Sequence, residues 1–230
     1  MKFSSPCLNM YLLTKFKDKK EINENDLLSL EELELDPCGD HKYFIYPLEM
    51  FGLFPNLKKI TFNNMLIDDD LINLLKNMKH LISLDFYNCT ITNLLSLSEI
   101  KLTSISFNHS YIEDINILSN FKFLNEIKLI NMGELDIIFL KDLPNLLDIY
   151  LSGSTILRSS LLNSFPLTEK IAIDDTGIKD LRFLESFTNL KELTISQSEL
   201  INNEDIIKKL LLRKVTVYKD GFLYRGSNYE

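Results

Sequence analysis

The stretch LTSISFNHSYIEDINILSNFKF, from Leu102 to Phe123, decides the fold of this chain. In its first half, Ile105 and Phe107 alternate with small polar residues, which is typical of a short β-strand with one buried face. In its second half, apolar residues recur about every third position, which favours a tight 3₁₀ or short helical return. The stretch therefore predicts one strand followed by one return segment.

The same pattern recurs along almost the whole chain. Aligned on its first leucine, it begins at Leu30, Leu57, Leu81, Leu102, Leu124, Leu146, Thr168, Leu190 and Leu212. The numbering of these anchors advances by 27, 24 and 21, and then by 22 at every later step. The positions three and five residues after each anchor are all aliphatic or Phe, which chance does not give in a chain that is 45% hydrophobic. The sequence therefore predicts repeats that stack and share one interior.

The pattern LxxLxLxx(N/C)x(I/L) resembles the signature of leucine-rich-repeat proteins. Its 22-residue spacing is similar to the class found in internalins and in the regulatory subunit of type-1 protein phosphatase, and the resemblance covers about Leu27 to Leu223. The resemblance implies an α/β fold. We expect a right-handed leucine-rich-repeat solenoid with a parallel concave β-sheet and short helical or 3₁₀ convex segments.

Two repeat positions depart from the family pattern. The ladder position, eight residues after each anchor and usually Asn in the family, holds Cys38, Met65, Cys89, Ser110, Met132, Ser154, Thr176 and Ser198. An Asn there would donate hydrogen bonds to the turn, whereas Ser, Thr and Cys donate more weakly and Met cannot donate. Asp40 and Glu134 also replace an expected Ile. We therefore expect local irregularity within the same fold.

Both ends are predicted to be caps. Residues 1–29 are interpreted as an N-terminal capping segment with a degenerate first repeat, because Leu8, Tyr11 and Leu13 lie one repeat period before an anchor and its two followers. The repeats are predicted over 30–211, and a C-terminal capping strand and hairpin over 212–230.

Two helices are predicted between the strands. The acidic run 68–70 indicates the start of one helix, because carboxylates stabilise the positive end of a helix. Residues 203–213 are predicted to form the last helix.

Composition limits the setting and the partners. The net charge of −8, from 25 Lys and Arg against 33 Asp and Glu, argues against a nucleic-acid partner, which would need a basic face. No apolar run is long enough to span a membrane, and the short run Cys7–Leu13 does not predict a signal peptide. Cys38 and Cys89 share the ladder position two repeats apart, so their sulfurs would lie roughly 10 Å apart, too far for a disulfide. We expect an intracellular, cytoplasmic protein with reduced cysteines.

Motifs for catalysis are weak. No HExxH, GxGxxG, Walker or GxSxG pattern occurs. The sequence Cys38-Gly-Asp-His41 could be half of a metal site, but no second Cys/His pair completes it. We expect no enzyme activity, no metal and no cofactor.

The concave face is the predicted functional surface. Side chains two, four and six residues after each anchor point away from the core, and acidic residues outnumber basic ones there by eight to four. Tyrosines exposed on such a face are typical contact anchors. The predicted centre of a protein-binding patch is Asp85, Tyr87, Asn108, Ile130, Asp148 and Tyr150.

The leading hypothesis is a non-catalytic interaction scaffold or adaptor that binds another protein, one with a basic surface, on this face. The alternatives are a regulatory subunit of an enzyme such as a phosphatase or ubiquitin ligase, and a secreted surface-binding protein. A solvated sheet face with incidental tyrosines is the structural alternative.

Overall fold

The computed structural model describes residues 6–37 and 48–226, without the side chains of residues 6, 7 and 48–50. The chain divides into two compact units, Met1–Phe121 and Lys122–Glu230. Each unit repeats the same local structure, in which a short strand is followed by a turn and a return segment.

Unit 1 alternates strands with short helices. Its α-helices are α1 (Pro6–Lys15), α2 (Glu24–Leu28) and α3 (Asp69–Leu75). Its strands are β1 (Glu32–Leu35), β2 (Lys59–Asn63), β3 (Leu66–Ile67), β4 (Ser83–Tyr87), β5 (Thr90–Ile91), β6 (Ser104–Asn108) and β7 (Tyr111–Ile112). Its 3₁₀ helices are Leu48–Leu53, Leu95–Glu99 and Ile115–Asn120.

The main sheet of unit 1 is parallel, in the order β1-β2-β4-β6. The strands pair so that equivalent repeat positions lie side by side, as in the series Phe62, Phe86 and Phe107. These three rings stack at centroid distances of 5.6 and 5.1 Å inside the core. The small strands β3, β5 and β7 form a second parallel sheet. The stacking of equivalent side chains is thus what closes the interior of this unit.

Unit 2 has the same alternation. Its strands are β8 (Glu126–Ile130), β9 (Glu134–Asp136), β10 (Asp148–Tyr150), β11 (Thr155–Leu157), β12 (Lys170–Ala172), β13 (Glu192–Ile195), β14 (Thr216–Lys219) and β15 (Phe222–Tyr224). Its 3₁₀ helices are Ile138–Asp142, Ser159–Ser164 and Arg182–Ser186. Its α-helices are α4 (Gln197–Leu200) and α5 (Glu204–Leu212).

The main sheet of unit 2 runs β8-β10-β12-β13-β14 in parallel, and β15 returns antiparallel to β14. Asp220 and Gly221 form the hairpin turn with positive φ angles of 49° and 81°, as a two-residue turn of this kind requires. The predicted closing hairpin is therefore present. A small parallel sheet pairs β9 with β11.

The apolar periodicity is confirmed at the strand positions. Every residue three or five positions after an anchor is buried, from Leu33 in β1 to Val217 in β14. Because side chains alternate along a strand, this burial leaves the intervening residues on the opposite side of each sheet. The predicted helix at the acidic run is also present. Asp68 caps α3 by accepting a hydrogen bond from the N–H of Leu71 at 3.0 Å.

In six of the coils, the turn after the strand of the main sheet uses a left-handed residue. Seven positions after the anchor, φ is positive at Asn64, Asn88, His109, Asn131, Gly153 and Asp175. Asn, Asp, His and Gly are the residue types that adopt this region most readily. The position of His109 therefore has a conformational explanation.

At two ladder positions, a buried serine hydroxyl links successive coils. Buried Ser110 accepts from the N–H of Cys89 at 3.0 Å and donates to the carbonyl of Phe86 at 3.1 Å. Ser154 repeats this arrangement, accepting from the Met132 N–H at 3.0 Å and donating to the Leu129 carbonyl at 2.9 Å. A single oxygen thus satisfies one donor and one acceptor of the preceding coil, which Asn would do in the family pattern.

Two parts of the ladder behave differently. Cys89 is a free, buried thiol that donates to the Phe62 carbonyl at 3.3 Å, and burial raises its pKa. In the last coil the buried carboxylate of Glu199 replaces the hydroxyl and accepts from the N–H of Thr176 at 3.2 Å. Cys38, Asp40 and the Cys38–His41 motif lie outside the described residues.

The anchor at Leu212 is wrong. Leu193 pairs with Val217, so the last structural step is two residues longer than the period of the preceding repeats. Leu212 lies at the end of α5 and is 85% exposed, whereas Ile207 and Leu210 of the same helix are buried. The shift of two residues preserves the alternation, so Val217 still faces the core.

The N-terminal alignment also differs from the structure. Leu8, Tyr11 and Leu13 were expected to begin a degenerate first repeat, as its anchor and the positions three and five residues later. All three lie in the helix α1. Leu8 and Leu12 are buried, whereas Leu13 is exposed. A helix buries positions four residues apart, so the spacing of five between Leu8 and Leu13 places them on different faces.

Candidate functional site

The outward face of each unit is defined as the side of the main sheet opposite its core. Its members are mostly half-buried by their neighbours on adjacent strands. In unit 1 it includes Lys59, Asn63, Asp85, Tyr87, Ser106 and Asn108. In unit 2 it includes Lys128, Ile130, Asp148, Tyr150, Lys170, Ala172, Glu192, Thr194 and Tyr218. The six predicted site residues all lie on outward faces, three in each unit.

In unit 1, two of the predicted residues are neighbours across strands. Tyr87 at the end of β4 pairs with Asn108 at the end of β6. The Tyr87 ring, 46% exposed, lies 6.1 Å from the His109 ring, and the Asn108 Oδ1 is 2.7 Å from His109 Nδ1. Asp85, two residues before Tyr87, pairs with Lys59 Nζ at 2.6 Å. This end of the face is therefore aromatic and polar, while the Asp85 charge is already balanced.

In unit 2, one row of paired residues forms a notch. Tyr150, Ala172, Thr194 and Tyr218 lie side by side on β10, β12, β13 and β14. Ala172 and Thr194 have smaller side chains than the two tyrosines; Ala172 is buried and Thr194 is half-buried between its neighbours. Lys128 Nζ lies 5.2 Å from the centre of the Tyr150 ring on the β8 side, a cation–π distance. The partner of Tyr150 on the β12 side is Ala172.

Asp148 is the electrostatically unusual residue of this face. Its side chain is 21% exposed, and its nearest cation, Lys170 Nζ, is 3.9 Å away. Its Oδ1 atom is buried and has no hydrogen-bond partner among the described residues. Burial, with the nearby carboxylates of Glu126, Glu169 and Glu192, raises the pKa of Asp148 against the opposing effect of Lys170. An ionised Asp148 is thus poorly compensated.

Tyr150 shares this environment. Burial, followed by the charges of Asp148, Glu126 and Glu192, raises the pKa of Tyr150 to about 12. The phenol therefore remains a neutral hydrogen-bond donor at neutral pH. Ile130 lies at the end of β8, half-buried and two residues beyond Lys128. It belongs to the same outward face, but no described contact links it to Tyr150.

Comparison with known proteins supports the same architecture. No protein-family model matches the chain, and no curated protein matches it. Among solved structures, an internalin (inlF) from Listeria monocytogenes is similar at 17% identity with a TM-score of 0.57, covering 94% of this chain and 68% of that one. Internalin C2 (inlC2) from the same species is similar at 19% identity with a TM-score of 0.57, covering 84% of this chain and 94% of that one.

A third similar structure is a leucine-rich-repeat protein of Leptospira interrogans, at 16% identity with a TM-score of 0.55, covering 75% of this chain and 46% of that one. The fold is the leucine-rich-repeat fold. At these identities the likeness is one of fold, and the resemblance to the phosphatase regulatory subunit stays a prediction.

Within residues 6–37 and 48–226, no group of three or more His, Cys, Asp or Glu side chains is placed to hold a metal ion. His80 follows α3 and His109 lies in a turn, in different repeats. In the same described ranges, no helix is both long and apolar enough to cross a bilayer.

Several residues of the notch were not predicted as site residues. Ala172, Thr194 and Tyr218 were recognised only as outward-facing. Ala172 is the only alanine in the chain, and its place on an outward face was the available signal. The notch depends on side-chain size across four paired strands, a property that appears only when repeats are compared at one position.

Proposed function

We propose that this chain is a non-catalytic interaction scaffold, and that the outward face of unit 2 binds a basic segment of another protein through Tyr150 and Asp148. The leucine-rich-repeat fold supports protein binding in general. The residues named for unit 1, Asp85, Tyr87 and Asn108, are proposed as a separate contact surface.

The observation that carries the proposal is the state of Asp148. A carboxylate oxygen that is buried without a hydrogen bond costs free energy, and three neighbouring carboxylates increase that cost. Because Oδ1 is itself buried, a guanidinium or ammonium group from a partner would donate to the other oxygen, Oδ2, and add the opposite charge that Lys170, at 3.9 Å, only partly supplies. Charge-assisted hydrogen bonds of this kind are about twice as strong as neutral ones.

The notch beside Asp148 fits the same kind of group. A planar guanidinium can stack on a half-buried ring such as that of Tyr150, with Asp148 and Glu192 on the neighbouring row of paired residues, on either side of Lys170. Lys128 already lies at a cation–π distance from this ring, so the cation–π geometry is compatible with this face. The partner segment is therefore proposed to present arginine.

Charge reversal tests the unit 2 surface. We expect Asp148→Lys to remove a specific set of proteins that the wild-type chain captures by crosslinking in extract of its native cell. Asp142→Lys, an identical charge change at an exposed 3₁₀ position, is the matched control and should retain them. If both variants capture the same proteins as the wild type, the proposal for unit 2 is wrong.

A tyrosine pair tests the unit 1 surface independently. Tyr87 on β4 belongs to the outward face, whereas Tyr111, 63% exposed, belongs to the small sheet. We expect Tyr87→Ala to lose a captured protein that Tyr111→Ala keeps, with similar urea midpoints for the two variants. Equal capture by both variants would remove unit 1 from the proposal.

The proposal also covers the cellular location of the chain. We propose an intracellular location, because Cys89 is a free buried thiol and the chain has an odd number of cysteines. A cysteine-labelling assay in the native cell would test it, since an exported protein would meet oxidising surroundings.

A further inference from the structure

A groove at the last coil of unit 2 lies apart from the proposed binding face. It has a volume of about 720 Å³ and runs between α5 and the β14–β15 hairpin. Neither Tyr150 nor Asp148 lines it. The groove therefore needs an explanation of its own.

The apolar part of the groove includes exposed leucines. Leu211, Leu212 and Leu223 line it, and Leu212 and Leu223 are 85% and 52% exposed. Leu212 is the last residue of α5, where Ile207 and Leu210 are buried but Leu212 is not. Neighbouring exposed apolar residues on a folded surface are typical of a contact site.

The charged part of the groove has one sign. Lys208, Lys214 and Arg225 line it, and no Asp or Glu does. Lys208 is paired only loosely, at 3.8 Å from the exposed Asp205, and Lys214 and Arg225 have no ion pair among the described residues. The rim of the groove is therefore basic, although the chain as a whole has a net charge of −8.

We propose that this groove docks an amphipathic acidic segment of a partner protein. Its apolar side chains would pack against Leu211, Leu212 and Leu223, and its Asp or Glu residues would meet Lys214 and Arg225. This is the helix-in-groove mode of recognition, in which apolar anchors give affinity and rim charges give orientation. The chain would then hold two partners of opposite charge, a basic one on the outward face and an acidic one at the last coil.

Selection from a displayed library of random peptides tests the proposal without a known partner. The full-length wild-type chain is the bait. The comparison baits are Leu212→Ser, Lys214→Glu and Arg225→Glu, all at exposed positions whose replacement leaves the core intact. We expect enriched peptides that combine leucine-type residues with Asp and Glu, and that bind each comparison bait at least tenfold more weakly.

Matched controls use the same chemistry elsewhere in unit 2. Leu167→Ser and Lys179→Glu change an exposed leucine and an exposed lysine outside the groove, and both should keep full binding. Added salt should weaken the selected peptides, because part of the attraction is between exposed charges.

Three results would overturn the proposal. They are no enrichment at all, enrichment of peptides without acidic residues, and equal binding to the groove variants and the controls. Sedimentation of the chain over a range of concentrations tests whether a second copy of the chain occupies the groove instead. If the chain self-associates and Leu212→Ser abolishes the self-association, the groove binds a second copy and the proposed partner is wrong.

Discussion

Removing one ladder hydroxyl should show how much the repeat depends on it. In Ser154→Ala, the N–H of Met132 and the carbonyl of Leu129 lose their shared partner in a site that is fully buried. A buried donor left unsatisfied costs about 1–3 kcal/mol, and a carbonyl with a second lone pair costs less. We therefore expect the free energy of unfolding to fall by about 2–4 kcal/mol, a large share of the ordinary stability of a domain.

The assay combines urea unfolding with amide hydrogen exchange. The exposed Ser160 provides the control, since Ser160→Ala removes the same hydroxyl where water can replace it, and its effect should stay within about 0.5 kcal/mol. The Met132 amide should exchange faster in Ser154→Ala alone. Ser154→Cys should recover part of the loss, because the thiol of Cys89 already donates from this position in its own coil.

A small effect would refute the reasoning. If Ser154→Ala matches Ser160→Ala and the Met132 amide stays protected, the hydroxyl ladder does not stabilise the coil. The burial of apolar side chains would then be sufficient to hold successive coils together.

Three further predictions follow from single positions. Asp148→Asn should raise the urea midpoint at pH 7, because the pKa of Asp148 is raised in the folded chain and its ionised form is therefore destabilising. This increase in the urea midpoint should disappear below the ordinary pKa of 3.8, where Asp148 is protonated in both the folded and the unfolded chain. The absorbance titration of the wild type minus Tyr150→Phe should show one phenol ionising near pH 12, and stability should fall as pH rises from 10 to 12. Leu210→Ala should cost about 2–5 kcal/mol in urea unfolding, whereas exposed Leu212→Ala should change little.

The strand register could be predicted from sequence, and the reason is alternation. Leu33, Ile105 and Val217 were assigned inward by counting three or five residues from a leucine, and all are buried. The assignment survived an error of two residues at the last coil, because a shift by two keeps every side chain on its own face. A shift by one would have reversed the whole strand.

The step lengths could have been predicted better. Paired strand residues differ in number by 24 across the coil that contains α3, by 21 across the coil that contains Leu95–Glu99, and by 24 across the coil that contains α5. An α-helix rises about 1.5 Å per residue and a 3₁₀ helix about 2.0 Å, so a helical return needs more residues to cover one distance. Residues 203–213 were predicted to be helical, and that prediction implied the longer step.

The site was harder to predict than the fold. Placing Asp148 and Tyr150 on an outward face needed only the alternation, but the cost of Asp148 depends on Glu126, Glu169 and Glu192, which three different strands or turns bring together. The groove at Leu212 could not be predicted from the 22-residue period. Counting assigned that leucine to the core, and only the longer α5 turns it outward.

The behaviour of Asp148 separates binding from a structural role. If the carboxylate mainly supported the fold, Asp148→Asn would lower both stability and partner capture. If it is kept for a cationic partner, Asp148→Asn should raise the stability of the free chain and lower capture, because the neutral amide relieves the uncompensated charge and removes the attraction. The two measurements then change in opposite directions. A fold can tolerate an unfavourable carboxylate on its surface, and selection for binding is a physical reason to retain one.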